Sequence, residues 1–158
     1  MSKALVIYYS RGGNTKKMAE FVVEGIKQEG MEVVLKEVGQ LRPEELLDFD
    51  ALVVGSPTYY GTMATEIKKL FDESVRFHGK LTGRVGAAFS SSANIAGGNE
   101  TTVLDILKAM LIHGMVIQGD AKGDHYGPAS IGAPDQRAKE ECLRLGARVA
   151  ELTQKVRG

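Results

Sequence analysis

Apolar and polar positions fall in blocks along the chain, and their period changes from block to block. Residues 3–9 form a nearly unbroken apolar run with β-branched and aromatic members, the pattern of a strand covered on both faces in a parallel sheet. Over residues 14–29 the period becomes helical. Met18, Phe21, Val22 and Ile26 lie on one side, Lys16, Lys17, Glu20, Glu24 and Lys27 mostly on the other, and Gly30 stops the helix. Residues 33–35 predict a second strand, 42–47 a short helix with Pro43 in its first turn, and 51–55 a third strand. Residues 65–74 predict a helix burying Ile67, Leu70 and Phe71, and 85–89 a fourth strand. A helix over 101–113 carries Val103, Leu107, Met110 and Leu111 on one stripe, with Gly114 as its cap. Residues 115–117 predict a fifth strand and 136–156 a last helix.

Five strands alternating with helices describe a doubly wound α/β domain, a three-layer sandwich whose parallel sheet is covered on both faces because right-handed crossovers put the helices there. No repeat, low-complexity segment or linker divides residues 1–158, so one domain is expected. The only long irregular connection is 119–135, rich in glycine and proline; a loop of that length serves a site or is mobile.

Composition removes several classes of function. Twenty basic against twenty acidic residues leave no field to attract nucleic acid. The amino terminus is too short of apolar residues for a signal segment, and no stretch approaches the ~20 residues of a membrane span, so a cytoplasmic protein is expected. A single cysteine excludes an internal disulfide and a cysteine-rich metal cluster; Cys142 repeats with Ala138, Leu145, Val149, Leu152 and Val156 at helical spacing and reads as core. The three histidines have no acidic partner at ligand spacing, so no metal site is expected.

In such sheets ligands bind beyond the carboxyl ends of the strands. That directs attention to residues 10–15, 56–63, 90–98 and the loop after Gly119, where glycine, serine and threonine cluster. The stretch Tyr-Ser-Arg-Gly-Gly-Asn-Thr, residues 9–15, stands between a strand and a helix, so backbone N–H groups and a helix amino terminus converge on one small volume suited to an anion. Asn14 or Thr15 alone would serve to cap the helix; the serine and the glycine pair before them favour the anion site. The loop lacks G-x-x-x-x-G-K-[ST] and G-x-G-x-x-G, and no acidic residue ends the second strand, which disfavours a nucleoside triphosphate and a dinucleotide. Strands one and three end in Tyr9-Ser10 and Gly55-Ser56 rather than carboxylates, which disfavours a Mg²⁺-dependent phosphorylation receiver; the lone cysteine lies far from the loop, which disfavours a cysteine phosphatase. A single phosphate monoester remains, held by neutral hydroxyls and amides with Arg11 nearby.

These residues resemble the flavodoxin-like family of FMN proteins. Residues 9–15 followed by Met18-Ala19-Glu20 are similar to its phosphate loop, and 55–63 (Gly-Ser-Pro-Thr-Tyr-Tyr-Gly-Thr-Met) to the loop beside the isoalloxazine ring. Gly97-Gly98-Asn99-Glu100-Thr101-Thr102, His113-Gly114-Met115 and Tyr126-Gly127 resemble the tryptophan repressor-binding (WrbA) branch, whose members are NAD(P)H:quinone oxidoreductases. The resemblance spans nearly the whole chain and implies a flavodoxin-like sheet of order 2-1-3-4-5. It also implies FMN as cofactor, with Ser10, Arg11, Gly13, Asn14 and Thr15 at the phosphate. Pro57, Thr58, Tyr59, Tyr60, Gly61 and Met63 would line the ring, and Ser90, Ser91, Ser92, Asn94 and Gly97 the second ring loop. By the same resemblance His113 approaches the flavin's pyrimidine side. The branch has Arg-Phe where this chain has Tyr59-Tyr60, and a tetramer-forming insertion that this chain lacks; a homo-oligomer, dimer or tetramer, is implied only by analogy.

A flat, largely apolar ring with a polar rim needs an aromatic or aliphatic wall and backbone donors. Tyr59, Tyr60 and Met63 supply the wall. The second loop, Ser-Ser-Ser-Ala-Asn-Ile-Ala-Gly-Gly, has no aromatic residue, which leaves one ring face open to a nicotinamide or quinone. Its backbone N–H groups are placed to stabilise negative charge on reduced flavin. His113 has two readings, a flavin contact or a helix-terminal histidine serving only the helix dipole. His125 and Tyr126 either close over the substrate or are exposed, and His78 is solvated. Two functions are therefore carried forward: an FMN-dependent enzyme passing electrons from NAD(P)H to a quinone-like acceptor, and a non-enzymatic electron carrier between redox partner proteins.

Overall fold

A computed structural model describes residues 1–158. The elements follow the apolar blocks: β1 (Lys3–Tyr8), α1 (Asn14–Gln28), β2 (Glu32–Glu37), β3 (Ala51–Tyr59), β4 (Thr62–Met63), α2 (Thr65–Glu73), β5 (Val85–Ser92), α3 (Asn99–Ile112), β6 (Val116–Ile117), β7 (Ala129–Ile131) and α4 (Gln136–Arg157). The long strands lie in the order β2-β1-β3-β5-β6, all parallel, which is the expected 2-1-3-4-5 once the hairpin strand β4 is set aside.

Four departures from expectation have local causes. Strand β2 runs on to Glu37, so an acidic residue does end the second strand; its carboxylate accepts from the Gly39 N–H, and the missing G-x-G-x-x-G is what still argues against a dinucleotide. The predicted short helix is a 3₁₀ segment, Pro43–Asp48, whose first turn is closed by Glu45 accepting from the Arg42 N–H. The two-residue strand β4 turns back on β3, pairing Thr58 with Met63 and Tyr59 with Thr62. The connection after Gly119 is not wholly irregular, because residues 129–131 form β7 beside β5. The fifth sheet position is thus divided: Val116 and Ile117 pair with Val85 and Gly86 at one end of β5, and Ala129 to Ile131 pair with Ser90 to Ser92 at the other. Residues 118–128 bulge out between the two halves, and we call this segment the strap. A three-residue strand is too short to declare itself by alternation.

Strand alternation sends Leu5, Ile7, Leu52, Val54 and Ala88 to one face, under Ile67 and Leu70 of α2 and Val103, Ile106 and Met110 of α3. Ala4, Val6, Val53, Ala87 and Phe89 face the other way, under Met18, Val22 and Ile26 of α1 and Cys142, Leu145 and Val149 of α4. Leu111, expected on the buried stripe, is exposed. Cys142 is core as expected, and burial pushes its thiol up to about 12. Helices α1 and α4 touch backbone to backbone. A methyl group built on Gly25 would overlap the Leu143 carbonyl, and one on Gly146 the Val22 carbonyl. No helix is long and apolar enough to cross a membrane.

Candidate functional site

At the carboxyl ends of β1, β3 and β5 three loops meet. The first, residues 9–13, enters α1 through Gly13, whose φ of 98° lies in the left-handed region that glycine adopts without a Cβ penalty. The first bond of the α1 ladder is Lys17 N–H to Gly13 O at 3.0 Å, so the N–H groups of Asn14, Thr15 and Lys16 have no backbone acceptor. Ser10 Oγ accepts from the Gly13 N–H at 3.0 Å and tightens the turn. Arg11 and Gly12 are exposed at its outer edge. No carboxylate stands within residues 9–15, and the free donors and positive end of the helix suit a phosphate monoester.

The second loop is the β3–β4 hairpin. Its two central residues, Tyr60 and Gly61, have φ of 48° and 79°, the type I′ geometry that matches the twist of a two-residue hairpin. Glycine takes this conformation freely, whereas Tyr60 stores strain on the order of 1 kcal/mol. Tyr60 is fully exposed at the tip. Tyr59 is partly exposed and meets Tyr9 edge-on, ring centroids 6.4 Å apart at 81°. Desolvation and the Glu66 carboxylate raise the Tyr9 phenol above its ordinary value. Pro57 and Thr58 are half-buried at the base of the hairpin.

The third loop runs from Ser90 to Gly98 and enters α3 as the first enters α1, through a left-handed glycine, Gly98 with φ of 99°. The N–H groups of Asn99, Glu100 and Thr101 again lack a backbone acceptor, the first α3 bond being Thr102 N–H to Gly98 O. Gly98 lies close enough to the hairpin that an added Cβ would stand 2.7 Å from Gly61 Cα. Asn94, Ile95 and Ala96 are exposed and Gly97 half-exposed.

Side-chain hydroxyls tie the three loops together. Thr15 Oγ1 and Ser91 Oγ are 2.9 Å apart, joining the first loop to the third. Thr58 Oγ1 and Ser90 Oγ, also 2.9 Å apart, join the second to the third. Thr101 Oγ1 donates to Gly61 O at 2.6 Å, and Asn99 Nδ2 donates to Ser92 Oγ at 3.0 Å. These contacts link positions up to 76 residues apart, so they leave no signal in local sequence pattern. Thr101, Asn99 and Tyr9 all lie in segments that carry the resemblance, but their part in joining the loops shows only in the fold.

Three expected site residues are corrected. Ser90 is fully buried and its hydroxyl pairs with Thr58, so its side chain joins β3 to β5. Met63 is core, because pairing with Thr58 turns its side chain under the hairpin among the residues beneath α2 and α3. His113 does not approach this site within the chain. Helix α3 runs back along the sheet, so its carboxyl end lies beside the start of β5, where Gly83 N–H bonds Gly114 O. Seven strand steps of ~3.3 Å place it roughly 20 Å from Ser92.

At that far end His113 is 6% exposed, with Nε2 2.7 Å from Ser74 Oγ and its ring stacked on Phe77. Ser74 donates its one proton to Phe71 O, so Nε2–H is the donor and Nδ1, which has no partner, carries a bare lone pair. Desolvation and then His78 lower the His113 pKa. A histidine held neutral in the native state loses stability to the unfolded chain as pH falls through the ordinary histidine value near 6.5. Urea-unfolding stability is expected to decline between pH 7.5 and 5. Carboxylates held low in the fold, such as Glu45 at about 2 through its bond from Lys36, weaken only near pH 4 and below. The same slope in His113→Phe would exonerate the residue.

Tyr126 lies at the site end. The Ser90 N–H donates to Pro128 O, and Tyr126, half-exposed, shares a small cavity with Asn99, Glu100, Asp124 and His125.

The flavodoxin domain family matches residues 5–110. A flavodoxin of Aquifex aeolicus is 43% identical over 160 aligned positions, covering 96% of this chain and 86% of that relative. An NAD(P)H dehydrogenase (quinone) of Archaeoglobus fulgidus is 36% identical over 190 positions, covering 99% of this chain and 100% of the relative. With 158 residues here, that relative is the longer protein. Among solved structures, the WrbA-like flavodoxin of Agrobacterium tumefaciens superposes with a TM-score of 0.84 at 28% identity, covering 98% of this chain and 99% of that one. An archaeal flavodoxin superposes with a TM-score of 0.82 at 31% identity, covering 96% and 99%. With the three-loop site standing at the strand ends of this sheet, the chain belongs to the flavodoxin family.

Proposed function

We propose that residues 1–158 form one FMN-binding domain that takes electrons from NAD(P)H and delivers them to a quinone-like acceptor. The observation that carries this reading is the asymmetry of the ring site. The hairpin offers Tyr59 and Tyr60 on one side, whereas the facing segment, residues 93–98, has no aromatic side chain. One face of a bound ring is left for a second flat molecule. The relatives described as NAD(P)H dehydrogenase (quinone), matched over their full length, support the same reading.

The loops fit the group. Free N–H groups of residues 14–16, with the Thr15 hydroxyl, suit the phosphate. Exposed backbone over residues 93–98 suits the polar rim, and Tyr59 held edge-on by Tyr9 suits the apolar face. When bound, FMN supplies hydride acceptance from a reduced nicotinamide and two-electron delivery to a quinone. The chain's part is to orient: Gly13 and Gly98 aim two helix amino termini at the site, and the hydroxyl pairs hold the loops at fixed separation. Within one chain His113 lies at the opposite end of the sheet and is not assigned to this step.

Anaerobic addition of NADPH or NADH to FMN-loaded protein is expected to bleach the visible spectrum, and benzoquinone to restore it. The 43% identity to the Aquifex flavodoxin, over 96% of this chain, favours a second reading, an electron carrier for protein partners. Failure of both nucleotides to reduce the protein, with stepwise one-electron reduction by dithionite, would establish the carrier instead.

A further inference from the structure

The strap between β6 and β7 is not a slack loop. Three arginines of α4 at positions 137, 144 and 148, seven and four residues apart and so on one helix face, grip it from below. Arg144 Nη2 bonds Asp120 Oδ2 at 2.6 Å, Arg148 Nε stands 3.6 Å from the same oxygen, and Arg148 Nη1 donates to Gln118 O at 3.3 Å. Arg137 reaches the strap's far end, bonding Asp124 Oδ1 at 2.9 Å and Ala129 O at 2.6 Å. The Asp120 side chain is only 7% exposed, and its other oxygen accepts the Lys122 N–H. The turn is closed on itself. Asp120 N–H donates to His125 O, and His125 Nδ1 donates back to Asp120 O at 2.7 Å. Gly123, with φ of 65° in the left-handed region, packs against the Glu141 carboxylate. Burial would raise the Asp120 carboxyl, but the Lys122 N–H and the two arginines outweigh it and hold it below its ordinary range.

Directly beyond this closed turn comes Tyr126, which lines one small cavity with Asn99 and Glu100 at the start of α3, next to the third loop. We propose that Asp120 is a positioning residue: by neutralising Arg144 and Arg148 it fixes the strap, and the fixed strap holds Tyr126 as a wall of the subsite for the flat second substrate. The proposal rests on the oxidoreductase reading for the nature of that substrate. Without Asp120, Arg148 loses its carboxylate partner and Arg144 keeps only Glu141, 3.5 Å away on its own helix, so the strap loses its carboxylate anchor at the β6 end while Arg137 still holds the β7 end.

The test uses full-length FMN-loaded protein and the variants Asp120→Asn, Tyr126→Ala and their combination. Lys122 is exposed within the strap and offers trypsin a reporter bond. In Asp120→Asn, cleavage after Lys122 is expected to quicken about tenfold or more relative to the other sites. The KM for benzoquinone should rise several-fold, with kcat and FMN affinity unchanged. Tyr126→Ala should raise KM similarly without quickening cleavage, and the double variant should be no worse in KM than Tyr126→Ala alone. Unchanged cleavage in Asp120→Asn would overturn the anchor. A KM effect that persists undiminished in the Tyr126→Ala background would overturn the link to Tyr126. Wild-type protein that turns over no quinone sinks the oxidoreductase reading and the substrate clause, while the proteolysis still decides the anchor.

Discussion

Replacing Gly146 by alanine is expected to destabilise the protein by about 3 kcal/mol, although the same change in an open helix stabilises by about 1 kcal/mol. The sign is decided by the α1–α4 crossing, where a methyl on Gly146 would run into the Val22 carbonyl and the backbone near Gly25. Carbonyl and helix backbone have no rotamer with which to yield, so the two helices must separate. Separation also loosens Cys142, Leu145 and Val149 from the sheet. At roughly 2–4 °C per kcal/mol for a chain of this size, the melting temperature should fall by about 6–12 °C. Gly146→Ser should behave alike, whereas Gly12→Ala, with open space around its Cβ, should be nearly silent. A rise in melting temperature for Gly146→Ala would mean that the crossing is looser than its geometry indicates.

Thr15→Val is expected to weaken FMN binding by about 1.5–3 kcal/mol, roughly ten- to more than a hundredfold in Kd. The substitution keeps the shape of a residue buried beneath the first loop while removing its hydroxyl. That hydroxyl already pairs with Ser91 Oγ, so on the proposed reading it has two tasks, orienting the third loop and offering a charge-assisted bond to the phosphate. Ser91→Ala removes only the first task and should cost less. Riboflavin, which has no phosphate, separates the two: Thr15→Val should affect its binding no more than Ser91→Ala does. Fluorescence titration reads both ligands. Unchanged FMN affinity in Thr15→Val would remove Thr15 from the phosphate site.

What could be read from sequence follows from how local each signal is. Buried parallel strands announce themselves as apolar runs, and α1, α2 and α4 by a single wet face. The loops were legible because glycine, serine and threonine gather where backbone must approach a ligand. The roles of individual hydroxyls were not, since Ser90, Ser91, Thr15 and Thr58 are spent in part on one another across the sheet. Their partners are fixed by strand order, which no short window contains. Met63 looked like a ring contact because it follows the two tyrosines, but the two-residue turn at Tyr60-Gly61 reverses the chain and sends it inward. Of the two readings of His113, the helix-terminal one is what the single chain displays, the flavin contact being implied only by resemblance. The direction of α3, antiparallel to the strand before it, puts His113 at the other end of the sheet.

The α1–α4 contact has a further consequence during synthesis. The face formed by Val6, Val53 and Phe89 is complete as a sheet once β5 has emerged, yet half of its cover, Cys142 to Ala150, is made last. Until then a broad apolar surface faces the ribosome's surroundings, and α1 has no partner for its glycine notch. The nascent chain is therefore most adhesive in the interval between β5 and α4. A chaperone that binds exposed apolar surface should be retained through that interval and released when α4 docks.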